Sequence, residues 1–167
     1  MGQTEFVYSI YIHAAPEAVW RALTETEFIQ QYFDGGGPKS DWQAGSPIAW
    51  KMDEETGYRD WDQRVLEADP PRRLTYSWHN YQPEMQKYFD WSDEQLVEMR
   101  KEPVSKVTFE IEPAVESPIR PGRIEWVKLT LTHENFAPDS EMLKGVSQGW
   151  LMIISKLKTV VERDGGE

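Results

Sequence analysis

Apolar and polar positions alternate over Glu5–His13, with Phe6, Tyr8, Ile10 and Ile12 on one face, which predicts a first strand. Pro16 and Glu17 then suit the first turn of a helix, whose apolar face would be Val19, Trp20 and Leu23. A second short helix is expected over Glu27–Phe33. Asp34-Gly35-Gly36-Gly37-Pro38 cannot continue it and reads as a flexible connector at the mouth of a pocket. Period two returns at Ile48, Trp50 and Met52, more weakly over Trp61–Leu66, and again at Leu74, Tyr76 and Trp78 after the Pro70-Pro71 break.

Residues 81–103 interrupt this meander. Within them Ser92 and Gln95 form a capping-box pattern ahead of Leu96, Val97 and Met99, predicting a short surface helix. Strands resume with Val107, Phe109 and Ile111. After a Pro/Gly-rich turn at Pro118–Gly122 they continue with Val127, Leu129 and Leu131. From Asp139 to Arg163, Leu143, Val146, Trp150, Ile153, Leu157 and Val160 recur at spacings of three and four, a helical stripe long enough to cross a sheet. Gly165-Gly166 is expected to end it. The order predicts an α+β fold in which a curved antiparallel sheet wraps the long terminal helix, with two short helices after the first strand. One domain over 1–163 is expected, with an insertion at 81–103 and a short tail at 164–167. A bent sheet gripping one helix leads us to expect a cavity between them.

Composition narrows the function. The 167 residues include no cysteine, which excludes disulfides, thiolate metal sites and a cysteine nucleophile. Eighteen basic against 29 acidic residues give a net charge of -11, which disfavours nucleic acid as a partner. A mean hydropathy of -0.67 and the lack of a long apolar run argue against a membrane partner. With no signal-peptide pattern at Met1–Glu5, a cytoplasmic protein is expected. Aromatic residues make up 13% of the chain, a fraction that suits either a crowded core or a pocket for flat apolar ligands.

The chemical motifs are weak. Gly145-Val146-Ser147-Gln148-Gly149 matches G-x-S-x-G, but it lies inside the helical stripe rather than at a strand-to-helix turn, so the match reads as accidental. Gly149 is instead expected to let the helix approach the sheet closely. His13, His79 and His133 are widely spaced, so no metal site and no cofactor is expected. His133 continues the parity of Val127, Leu129 and Leu131 and should point into the interior. There it would be either a hydrogen-bonded structural histidine or an acid–base group.

Several segments carry a resemblance in chain order. They are Ala15–Thr24, Ser40-Asp41-Trp42, Gly45-Ser46-Pro47, Val65–Leu74, Ser105–Pro113, Leu129–Glu134 and Gly149-Trp150 through Leu157-Lys158. Together they resemble the heat-shock-chaperone ATPase activator homologue family of the START-like superfamily, which also holds polyketide cyclases and birch-pollen-allergen-like proteins. The resemblance implies a helix-grip fold with an apolar cavity lined here by Trp50, Met52, Tyr76, Trp78, Phe109, Leu129, Leu131, His133, Val146, Trp150 and Ile153. Two departures stand out: Asp62-Gln63-Arg64 where relatives usually carry a glycine, and the long aromatic-rich segment 81–102, a candidate lid. Three readings follow. The first is a module that binds a small hydrophobic, aromatic or lipid-like molecule. The second is a cyclase- or hydrolase-type enzyme using the same cavity with His133 as acid or base. The third is a co-chaperone acting on a chaperone ATPase. A homodimer is a further expected association.

Overall fold

The computed structural model describes residues 3–114, 119 and 126–165. Seven strands form one antiparallel sheet: β1 (Glu5–Ile12), β2 (Gly37–Lys39), β3 (Pro47–Lys51), β4 (Tyr58–Asp69), β5 (Arg73–Ser77), β6 (Lys106–Pro113) and β7 (Val127–Glu134). Their spatial order is β1-β7-β6-β5-β4-β3-β2, so the two strands that flank the first helices lie at opposite ends of the sheet. Helices α1 (Pro16–Thr24) and α2 (Thr26–Tyr32) bridge that gap. Helix α5 (Glu141–Gly165) packs along the concave face, touching β1, α1 and α2. Between β5 and β6 the chain makes a short 3-10 turn at Pro83–Met85 and helices α3 (Gln86–Phe89) and α4 (Asp93–Met99). The sheet curled around a long helix is the α+β helix-grip arrangement.

Local chemistry explains the well-read elements. Pro16 occupies the start of α1 with Glu17 in its first turn. Ser92 and Gln95 cap α4 reciprocally: the Gln95 backbone N–H donates to Ser92 Oγ, and the Ser92 N–H donates to Gln95 Oε1. The inward face of β7 is Val127, Leu129, Leu131 and His133, all buried. Across the sheet, Leu131 lies opposite Phe109, and Phe109 opposite Leu74. These cross-strand rows are the floor on which α5 sits.

Four expectations need correction. The triple glycine is not a free connector, because Gly37 begins β2 and the backbone there is closely packed. A Cβ on Gly36 would stand 2.3 Å from the Lys51 carbonyl oxygen, and Gly37 at φ +96° would drive one into Ile29 and Phe33. The weak strand at Trp61–Leu66 is in fact the longest, twelve residues, and its alternation is broken by register shifts. Asp62 sits there at φ +63°, the left-handed conformation that glycine adopts most readily. On α5 the buried stripe runs through Leu143, Trp150, Ile154, Leu157, Val160 and Val161, so Ile154 rather than Ile153 is the deeper residue. Gly149 is exposed, and a Cβ there would meet nothing within 4 Å, so it does not mediate close packing.

Helix α5 also runs two residues past Arg163, through Gly165. The turn expected at Pro118–Gly122 lies outside the described residues except for Ile119. No helix among the described residues is long and apolar enough to cross a membrane.

Candidate functional site

The space between α5 and the sheet is filled by rings. Trp50 meets Trp78 edge-on at 4.8 Å between ring centroids, and Trp78 meets Trp150 at 5.5 Å. Tyr76 bridges Trp78 and Phe109 at 6.2 Å each, and Phe109 abuts Trp150 at 5.9 Å. Edge-to-face, tilted and stacked pairs of this kind add to the apolar burial of each ring. Of the predicted lining, Trp50, Tyr76, Trp78, Phe109, His133 and Trp150 therefore form one cluster. Leu129 and Leu131 lie in the same core, while Met52, Val146 and Ile153 pack half-buried against its rim. Met52 follows the end of β3 rather than lying on it.

Among the described residues, little space is left beside this cluster. The seam between α2, β2 and α5 keeps a void of about 10 Å³, lined by Leu23, Tyr32, Phe33, Pro38, Tyr76, Phe109, Trp150, Ile153, Ile154 and Leu157. That is room for about one water molecule. A curved sheet does leave space for large groups, and in this chain the tryptophans occupy it. Sequence reasoning missed Phe33, which touches both Trp50 and Trp150, because it sits at the end of α2 beside the glycines.

Two buried histidines flank Trp78. His133 Nδ1 accepts the indole N–H of Trp150 at 3.0 Å, so its proton resides on Nε2, 2.9 Å from Ser105 Oγ. Gln63, fully buried on β4, donates its amide N–H to the Ser77 carbonyl and thus turns its oxygen toward His79 Nδ1 at 3.1 Å. His79 is therefore protonated on Nδ1, the opposite tautomer. Burial pushes both rings down to about 3, His133 with an added contribution from His79. Both nitrogens of His133 are engaged and the ring is wholly buried, an arrangement that ties α5 and β7 to the residue just before β6. His79 and Gln63 were not legible as a pair, since the β4 irregularity hides Gln63's inward direction.

Among the described residues, two indole N–H groups in the cluster have no hydrogen-bond partner. Trp42 and Trp78 are each buried with an unbonded Nε1, and both neighbour Tyr76, at 5.7 and 6.2 Å between centroids. Desolvation also pushes the Tyr76 hydroxyl well above its ordinary value.

The segment 81–103 is anchored at both ends on the start of α5. The Tyr81 hydroxyl accepts the Met142 backbone N–H at 2.7 Å and donates to Glu102 Oε2 at 3.2 Å. Ser140 caps the helix by accepting the Leu143 N–H, and its own hydroxyl donates to Glu102 at 2.8 Å. The Glu102 carboxylate thereby sits at the positive end of α5. Farther along, Tyr88 and Lys87 both bind Asp53 on the turn after β3, and they hold its carboxyl far below the usual range.

Over residues 13–162 the sequence matches the family described as activator of Hsp90 ATPase homolog 1-like protein. The chain belongs to that family. No curated protein matches it. Among solved structures, a protein from Mesorhizobium loti is 22% identical with a TM-score of 0.65, over 95% of this chain and 97% of that one. The Aha1 dimer from Colwellia psychrerythraea is 17% identical with a TM-score of 0.66, over 96% and 97%. An HSP90 activator from Plasmodium falciparum is 17% identical with a TM-score of 0.64, over 95% and 96%. These likenesses establish the shared fold. Within the family fold, the G-x-S-x-G match is helical: Ser147 Oγ donates to the Leu143 carbonyl one turn back, as a serine inside a helix does.

Proposed function

We propose that this domain binds a small, flat, largely apolar molecule bearing a hydrogen-bond acceptor, in the seam between α5 and the sheet. The observation that carries this reading is the pair of indole donors, Trp42 Nε1 and Trp78 Nε1, buried without a hydrogen-bond partner among the described residues. An unpaired buried donor is destabilising, and an acceptor supplied from outside would relieve that cost. The void is only about 10 Å³ and neither indole lines it, so binding requires Tyr76, which neighbours both, to part from the α5 face, and the competent form is a minor one. Its location is cytoplasmic in this reading.

The test is thermal unfolding and tryptophan fluorescence against flavonoids, steroids, fatty acids and polyketide fragments. A ligand at roughly one hundred times its dissociation constant should add about 2.7 kcal/mol, a rise of several degrees. Trp78→Phe should retain the fold and lose the shift. No response to any class would overturn the reading.

A second reading, a protein partner such as a chaperone ATPase, draws on family membership and on the exposed apolar side chains of the insertion. Tyr88, Phe89 and Val97 are 48%, 58% and 60% exposed. Stimulation of an Hsp90-type ATPase that is lost in Phe89→Ser would support it. An unchanged rate would remove it.

A further inference from the structure

Strand β1 ends the sheet. β7 pairs with it on one side, and among the described residues no strand lies on the other. Free edges are normally blunted by charge, proline, a bulge or short length. β1 uses none of these between its ends: its eight residues pair with β7 in unbroken register, and Phe6 to Ile12 are all uncharged. Both of its faces are apolar. Val7 and Tyr11 are 54% and 55% exposed on the convex side, while Phe6, Tyr8 and Ile10 on the concave side are only half-buried.

The segment Val7–Tyr11 is also complementary to itself. We propose that the free edge of β1 joins two copies of this chain, antiparallel about a twofold axis through Ser9, into one continuous sheet. In that register Val7 faces the partner's Tyr11 and Ser9 faces the partner's Ser9. On the concave side Tyr8 meets the partner's Ile10. Directly opposed residues share a face, so hydroxyl meets hydroxyl and apolar meets apolar. An axis through Tyr8 instead sets Glu5 against Tyr11 and Thr4 against Ile12, so polar meets apolar. The pairing edge stops at His13, whose backbone N–H is already taken by Glu162 at 2.8 Å. One strand pair covers less than the roughly 800 Å² per partner of a standard interface, so the dimer should dissociate in the micromolar range.

Sedimentation velocity on the full chain from about 1 μM to about 1 mM should pass from monomer to dimer. Val7→Glu/Tyr11→Glu sets like charges across the axis and should weaken the dimer at least about tenfold. Val7→Lys/Tyr11→Glu sets opposite charges there and should restore it. Both variants change exposed positions whose neighbours on β7 are Thr132 and Lys128, and thermal melts check that the fold is kept. Amide exchange over Glu5–Ile12 in the unmodified chain should slow as concentration rises. A monomer at every concentration, a dimer indifferent to Val7→Glu/Tyr11→Glu, or no recovery with Val7→Lys/Tyr11→Glu would each overturn the proposal.

Discussion

Trp150 on the long helix donates its indole N–H to Nδ1 of His133 on β7, 3.0 Å away, and this bond fixes which nitrogen of the histidine carries the proton. Replacing Trp150 by Phe leaves that nitrogen buried without a donor and should cost about 2–3 kcal/mol in urea unfolding. Combining Trp150→Phe with His133→Leu should cost less than the sum of the two single changes. A coupling of about 1 kcal/mol in the double-mutant cycle is expected, and strict additivity would show that the bond contributes nothing.

The histidine pair sets a pH dependence. Both folded-state values are near 3, below the ordinary 6.5. The unfolded chain therefore takes up two protons that the folded one refuses as pH falls. The stability contributed by the neutral rings is complete above pH 6.5 and is lost progressively between there and about pH 3. The slope should approach about 2.7 kcal/mol per pH unit near pH 5, and His133→Gln should reduce it by about half. Urea midpoints measured from pH 7 to pH 4 decide this.

Helix α5 depends on its cap. Tyr81→Phe removes the acceptor of the Met142 N–H, and Ser140→Ala removes that of Leu143. Each should destabilise by about 1–2 kcal/mol. Faster amide exchange confined to residues 141–144 would mark the effect as local fraying. Unchanged exchange there would mean that the cap bonds do not hold the helix end.

Glycines at different places should respond with opposite signs. Gly36→Ala pushes a methyl group into the Lys51 carbonyl and should cost at least about 2 kcal/mol. Gly145→Ala/Gly149→Ala, at helical positions with nothing within 4 Å, should raise stability by about 1–2 kcal/mol. Thermal melts of the two variants separate close packing from mere chain flexibility.

The fold was readable because its signals are periodic. Phe6 to Ile12, Val127 to His133 and the α5 stripe each bury one face, and the spacing of apolar residues records this directly. What escaped the reading lacks such a record. β2 is three residues long and exists through its pairing with β3. Gln63 is turned inward by the β4 irregularity, where counting by twos fails. The lining residues were mostly named, but whether Trp50, Trp78 and Trp150 surround a space or fill it is a question of volume, to which periodicity is blind.

The meeting of Tyr81 and Glu102 at a single point on α5 brings the two ends of the intervening stretch together. Met85, in the core, and Lys87 and Tyr88, on Asp53, tie it to the domain again, whereas Phe89 and Val97 stand exposed. A lineage could vary such exposed positions, aromatic or not, while the fold beneath stayed as it is.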